Sequence, residues 1–184
     1  MTLETPASVM KRLYEKGLTT VSGGNASRRI ENGKILITPA GGDKSLIKEE
    51  ELAVVPISEF DKIRNKNCST ETQMHIAIYK KCPEINALIH AHPPYTTVIS
   101  CSSEKVSSSL TDEGRYWLQK IDYIPYLPSG STELANAASE AAEKNHVLIL
   151  RNHGALTAGK TLSEAYKRME ILEHICFIQN NSSF

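Results

Sequence analysis

A chain that sets Asn32-Gly33 between the β-prone runs Arg28-Arg29-Ile30 and Lys34-Ile35-Leu36-Ile37-Thr38 has little choice but to fold back on itself there. Asn and Gly tolerate positive φ, which is what a tight hairpin turn requires. The two runs then pair antiparallel, and any sheet that contains them is at least partly antiparallel.

Around this hairpin the apolar spacing switches between helical and extended. Residues 7–17 place Val9, Met10, Leu13 and Tyr14 on one helical face, with Pro6 suited to the first turn and Gly17 to the C-cap. Further helices are expected over 70–81, capped by Ser69 or Thr70, and over 94–101, 132–144 and 162–178. Strands are expected over 52–57, 85–92, 123–126 and 147–151. A polar connection precedes Ser69, and the serine-rich stretch 102–110 reads as a mobile surface loop. This order predicts an α/β fold in a single domain over residues 1–184, with a mixed, mainly antiparallel central sheet and helices on both faces.

Composition narrows the partners. Lys+Arg and Asp+Glu balance at 21 each with no basic run, so neither counterion release to nucleic acid nor attraction to an anionic membrane drives binding. The N-terminal segment has no apolar core of signal-peptide length. Apolar runs such as Val147-Leu148-Ile149-Leu150 fall far short of the ~20 residues of a membrane span, so a cytoplasmic protein is expected. Cys68, Cys82, Cys101 and Cys176 form no CxxC pair and are expected as reduced thiols.

In His90-Ala91-His92, the two-residue spacing on a strand throws both imidazoles to one face, close enough to share a metal ion. His153, in Arg151-Asn152-His153-Gly154 after a predicted strand, is a third candidate ligand. Three imidazoles with an open position are an arrangement that catalytic zinc uses. An HxH by itself is a weak signal, since strand histidines also serve as packing residues. His75, His146 and His174 are expected as structural or surface residues. Glu71 stands at a predicted helix start, where the helix dipole favours a carboxylate. Beside a metal it is a candidate general base; in solvent it is an ordinary helix-start glutamate. Ser22-Gly23-Gly24-Asn25-Ala26-Ser27 is expected as a tight loop with exposed backbone N–H groups. With Pro39-Ala40-Gly41-Gly42-Asp43-Lys44 and Ser69-Thr70, it makes three small-residue segments able to bind an anion or simply to turn the chain. No P-loop or dinucleotide fingerprint is present.

Taken in order, Ser22-Gly23-Gly24-Asn25-Ala26-Ser27, Ile37-Thr38-Pro39-Ala40-Gly41, Ser69-Thr70-Glu71 with His75, His90-Ala91-His92-Pro93 and Arg151-Asn152-His153-Gly154 resemble the class II aldolase/adducin family, closest to its fuculose-phosphate aldolase-like members. The likeness covers almost the whole chain. It implies a Zn2+ ion held by His90, His92 and His153, with Mn2+ or Co2+ as alternatives, and Glu71 as catalytic acid/base. It also implies a phosphate pocket from Asn25, Ala40, Gly41, Ser69 and Thr70, and a homotetramer with active sites between subunits. In such an assembly a tyrosine of the adjacent subunit donates a proton to the aldehyde oxygen, and Tyr116 is the nearest candidate.

The implied activity is that of a class II, metal-dependent aldehyde-lyase. It cleaves a ketose 1-phosphate, such as fuculose 1-phosphate, reversibly to dihydroxyacetone phosphate and a small aldehyde. A phosphosugar dehydratase of the methylthioribulose-phosphate type or a 4-epimerase on the same metal site is an alternative, and a non-catalytic adducin-like binding module is another. Family epimerases carry aspartate where Glu71 stands and usually serine where Pro93 stands; dehydratases keep the glutamate; adducin-like members have lost the histidines. This chain departs from the better-known aldolases twice. Ala40 replaces a serine or threonine, removing one hydroxyl donor to phosphate, with Lys44 available to compensate. The chain also ends soon after the last helix, without the longer tail that covers the neighbouring site, so a more open pocket is expected.

Overall fold

The computed structural model describes residues 5–58 and 68–182, and most of the polar connection expected before Ser69 lies outside the described residues. Helix α1 (Pro6–Glu15) opens the chain, capped by Thr5, whose side chain accepts from Ser8 N. Gly17, at φ +69°, closes it: Gly17 N donates to Tyr14 O and Leu18 N to Leu13 O, so the last carbonyls are satisfied. Strands β1 (Asn25–Ile30) and β2 (Lys34–Ile37) form the expected hairpin, with Ile30 paired to Lys34 and with Asn32 and Gly33 at φ 60° and 66°.

The chain continues through β3 (Ala53–Pro56), α2 (Thr72–Lys81), β4 (Ala87–Ala91), α3 (Pro94–Ser100), α4 (Asp112–Trp117), β5 (Ile121–Ile124), α5 (Thr132–Ala142), β6 (Val147–Leu150), β7 (Gly154–Gly159) and α6 (Leu162–Asn181). The strands make one seven-stranded sheet in the order β3-β2-β1-β4-β7-β6-β5. Every neighbouring pair is antiparallel except β5 and β6, which run parallel. The α/β class with a mainly antiparallel sheet is as the hairpin required. Because side chains alternate along a strand, Ala87, Ile89 and Ala91 of β4 and Val147 and Ile149 of β6 pack with α1, α3 and α6. Leu88 of β4 and Leu148 and Leu150 of β6 pack on the other face with α2 and α5. No helix among the described residues is long and apolar enough to cross a membrane.

Several features depart from the sequence reading. Residues 25–27, expected in a glycine-rich loop, are the first half of β1, and Asn25 pairs directly with His90. Strand β7 carries no alternating pattern because all six of its residues are buried: a central strand covered on both faces has no solvent side to mark with polar residues. Helix α4 spans six residues, too few to show a period, and is capped by Thr111, which accepts from Gly114 N. Strand β5 lies two residues earlier than expected, because Pro125 has no N–H to offer the ladder. Helix α2 begins at Thr72 with Glu71 in the N-cap position, and its side chain makes no capping bond; Ser69 and Thr70 do not cap it. The serine-rich stretch contains a 3-10 turn at Ser108–Leu110 and is tied down, with Arg151 donating to the carbonyls of Ile99, Ser102 and Glu104.

Candidate functional site

Strand β4 carries His90, and His92 follows one residue past its end; the turn between β6 and β7 carries His153. Their ring centroids stand 4.8 Å (His90 to His92), 4.7 Å (His90 to His153) and 5.2 Å (His92 to His153) apart. One ligand nitrogen from each lies within 4.8 Å of the others. His90 is fully buried with Nδ1 donating to Ala155 O at 2.9 Å, which leaves Nε2 as the nitrogen that faces the cluster. That Nε2 is 3.0 Å from His92 Nε2. Two imidazole nitrogens bound at about 2.0–2.1 Å to one tetrahedral ion stand roughly 3.3 Å apart, so this spacing fits a shared divalent metal.

Missing side chains make room for the rings. Gly24, at φ +72°, lies so close to β4 that a Cβ there would sit 2.6 Å from His90 O. A Cβ on Gly154 would sit 2.5 Å from Ala91 O and 2.7 Å from His92 Cδ2. The glycines of both motifs therefore build the histidine cage.

Glu71, 5% exposed, reaches the same centre from the start of α2. Its Oε2 is 3.1 Å from His90 Nε2 and accepts from Asn25 Nδ2 at 2.9 Å. Its Oε1 is 3.4 Å from His153 Nε2 and accepts from Ser129 Oγ at 3.0 Å. Burial by itself pushes this carboxyl up, but the charge and hydrogen bond of His90, the charge of His153 and the Ser129 hydrogen bond hold it well below the usual carboxylate range. Burial, reinforced by His90 and His153, pushes His92 down to about 3, and burial with His90 also lowers His153. Both shifts favour the neutral, ligating form of imidazole, whereas at His90 burial is outweighed by the charge and hydrogen bond of Glu71, which raise the pKa.

The expected anion-binding residues gather beside this centre. Asn25, Ala40, Gly41, Ser69 and Thr70 line one cleft of about 210 Å³ with Glu71, His92 and His153. Asn25 Nδ2 also donates to Ser69 Oγ at 3.0 Å, and Ser69 Oγ accepts from Glu71 N at 3.3 Å.

Residues 4–180 match the model of the family described as Class II Aldolase and Adducin N-terminal domain. The chain belongs to the class II aldolase and adducin family. It is 38% identical over 184 residues to the L-fuculose phosphate aldolase of Methanococcus maripaludis strain C5, covering 98% of each chain. Over 167 residues it is 31% identical to the 3-oxo-tetronate 4-phosphate decarboxylase of Haemophilus influenzae strain Rd, covering 89% of this chain and 79% of that one. The crystal structure of L-fuculose-1-phosphate aldolase from Thermus thermophilus is similar with a TM-score of 0.82 at 28% identity, covering 95% of this chain and 90% of that chain. The expected class, a metal-dependent aldehyde-lyase, is supported by the family and by the aldolases among these relatives. Among the described residues, His90, His92 and His153 are the group suited to hold its ion.

Other candidates fall elsewhere in this class II aldolase-family fold. Tyr116, on α4, is 73% exposed and packs edge-on to Trp117. It lines a separate depression with Arg115, Gln119, Glu164 and Arg168, away from the histidine cleft of its own chain. His75 is buried with Nδ1 2.6 Å from Ser27 Oγ, and His174 is exposed, so neither belongs to the ligand set. Ser129 is a site residue that the sequence does not flag. Its only signal is the turn-forming run Pro128-Ser129-Gly130-Ser131 ahead of α5, which says nothing about what a serine there would touch.

Proposed function

We propose that this protein is a zinc-dependent aldolase that reversibly cleaves a ketose 1-phosphate of the fuculose 1-phosphate type to dihydroxyacetone phosphate and a small aldehyde. The observation that carries the reading is the place of Glu71, a carboxylate 3.1 Å from His90 Nε2 and 3.4 Å from His153 Nε2. A divalent ion held by His90, His92 and His153 would supply Lewis-acid stabilisation of negative charge beside a carbonyl, undiminished by its neutral ligands.

Glu71 handles the proton, taking it from the substrate carbon in the condensation direction and returning it to the same carbon after cleavage. Asn25 and Ser129 each hold one of its oxygens and so set its orientation. Asn25, Ser69, Thr70 and the Ala40-Gly41 turn receive the phosphoryl group. Tyr116 of an adjacent subunit in a homotetramer donates the proton to the aldehyde oxygen; its exposure supports this role. The protein works in the cytoplasm, in keeping with a phosphorylated substrate.

Incubation with fuculose 1-phosphate should release dihydroxyacetone phosphate, read by a coupled NADH assay. A chelator should abolish the release and zinc restore it, and cleavage that survives complete metal removal overturns the reading. The decarboxylase relative favours one second reading, loss of CO2 from a 3-oxo sugar-acid phosphate, which leaves the same negative charge beside a carbonyl, to be quenched by a solvent proton relayed through Glu71. Release of CO2 from 3-oxo-tetronate 4-phosphate, with no triose phosphate from the ketose, selects that reading. A water-loss or C4-inverted product instead selects a dehydratase or epimerase. A metal-free protein without turnover selects an adducin-like module. Sedimentation velocity tests the tetramer.

A further inference from the structure

Lys44 is 2% exposed, yet it lines the cleft with Asn25, Ala40, Gly41, Ser69 and Thr70. Its Nζ donates to Pro39 O and Gly41 O at 2.9 Å each, and its own N–H donates to Val21 O at 2.7 Å, so the ammonium is held at the end of the Pro39-Ala40-Gly41 turn. An ammonium has three N–H donors, and two are used here. Among the described residues no carboxylate lies within ion-pair distance of Lys44 Nζ. A buried cation without a counter-charge is costly, and an anion bound beside it would offset that cost. Burial accordingly lowers the Lys44 pKa, and an incoming anion would reverse that shift.

The charges around it sharpen the point. Lys44 is the only lysine or arginine among the described residues that line the cleft. Ala40 supplies no hydroxyl at the turn that Lys44 tethers.

We propose that Lys44 is the cationic determinant of anion selectivity in this cleft: its ammonium pairs with the phosphoryl group of the substrate, and it is the residue by which the site prefers a phosphate ester to the free sugar. This rests on the phosphorylated substrate class proposed above, but inorganic phosphate tests it without any turnover. Lys44→Gln keeps amide donors for the turn carbonyls and removes the charge; Lys44→Arg keeps the charge. Titration calorimetry of the full-length, metal-loaded protein with inorganic phosphate should show affinity at least tenfold weaker in Lys44→Gln and within threefold of the parent in Lys44→Arg, at unchanged metal content. The selectivity for fuculose 1-phosphate over fuculose should fall at least tenfold in Lys44→Gln, through KM rather than kcat. Lys44→Met, tested in parallel, gives the same comparison should the glutamine variant not fold.

Parental phosphate affinity in either uncharged variant overturns the proposal. So does an equal loss of activity on the phosphorylated and free sugars, which marks Lys44 as a staple for the turn. Weakened phosphate binding in a protein that cleaves no ketose phosphate leaves the Lys44 assignment standing and removes the aldolase reading.

Discussion

Asn25 and His90 are directly paired residues on β1 and β4, and the Asn25 amide reaches past its partner to Glu71: Nδ2 lies 2.9 Å from Glu71 Oε2, which is itself 3.1 Å from His90 Nε2. One strand register therefore sets an imidazole of the candidate metal cluster, the carboxylate beside it and one wall of the adjoining cleft. A slip of one residue would turn Asn25 to the opposite face of the sheet and undo all three.

Replacing Glu71 with Gln preserves the size of the side chain and removes its basicity. Bound zinc, measured by atomic absorption, is expected to stay near one ion per chain, while exchange of the substrate C–H proton with solvent falls by roughly 10² to 10⁴, the usual contribution of a positioned acid/base. Parental exchange rates in the variant would take Glu71 out of its role.

His92→Ala and His153→Ala each remove one imidazole from the cluster. Loss of a ligand, unlike the Glu71 change, should lower zinc occupancy and activity together, and excess zinc should restore both in part. A variant that binds zinc like the parent has lost no ligand.

Gly154→Ala tests the cage around the rings. The added methyl meets the Ala91 carbonyl oxygen at 2.5 Å, a backbone atom that has nowhere to go. Overpacking of this kind costs about 1–3 kcal/mol and should move His92, so both thermal stability and zinc affinity are expected to fall. Unchanged melting and unchanged zinc titration would show that the β4 backbone yields freely.

His75 links stability to pH. It is fully buried, and burial pushes its pKa down to about 3, against an ordinary value of about 6.5. As pH falls below about 6.5 the unfolded chain takes up a proton that the folded protein does not, so this group subtracts stability with a slope approaching about 1.4 kcal/mol per pH unit, down to its folded pKa. Urea unfolding of the metal-free protein should show the parent losing about 2 kcal/mol relative to His75→Gln between pH 8 and about pH 5. A constant difference between the two across that range means His75 takes its proton in the folded state as readily as in the unfolded one.

Much of this is legible along the chain, because it depends on period and on turn chemistry. Asn32-Gly33 dictates the hairpin, Gly17 the end of α1, and the two-residue spacing of His90 and His92 puts both rings on one side of β4. The ordered glycine, histidine and glutamate motifs are enough to indicate the family and its ligand chemistry.

What the chain does not disclose depends on what packs opposite. Strand β7 is invisible as a pattern because burial on both faces erases alternation. Asn25 reads as loop because only β4 makes it a strand residue. Ser129 looks like an ordinary turn residue until folding places it against Glu71, and only the fold shows Lys44 buried beside the cleft with no carboxylate partner among the described residues. The amino-acid order thus chose which side chains were on hand for the roles proposed here, holding an ion, moving a proton and meeting a phosphate. Which oxygen of Glu71 meets which histidine, and which amide and hydroxyl hold it there, was decided by contacts spanning 46 and 58 residues of chain, which form only when the sheet and its loops close together.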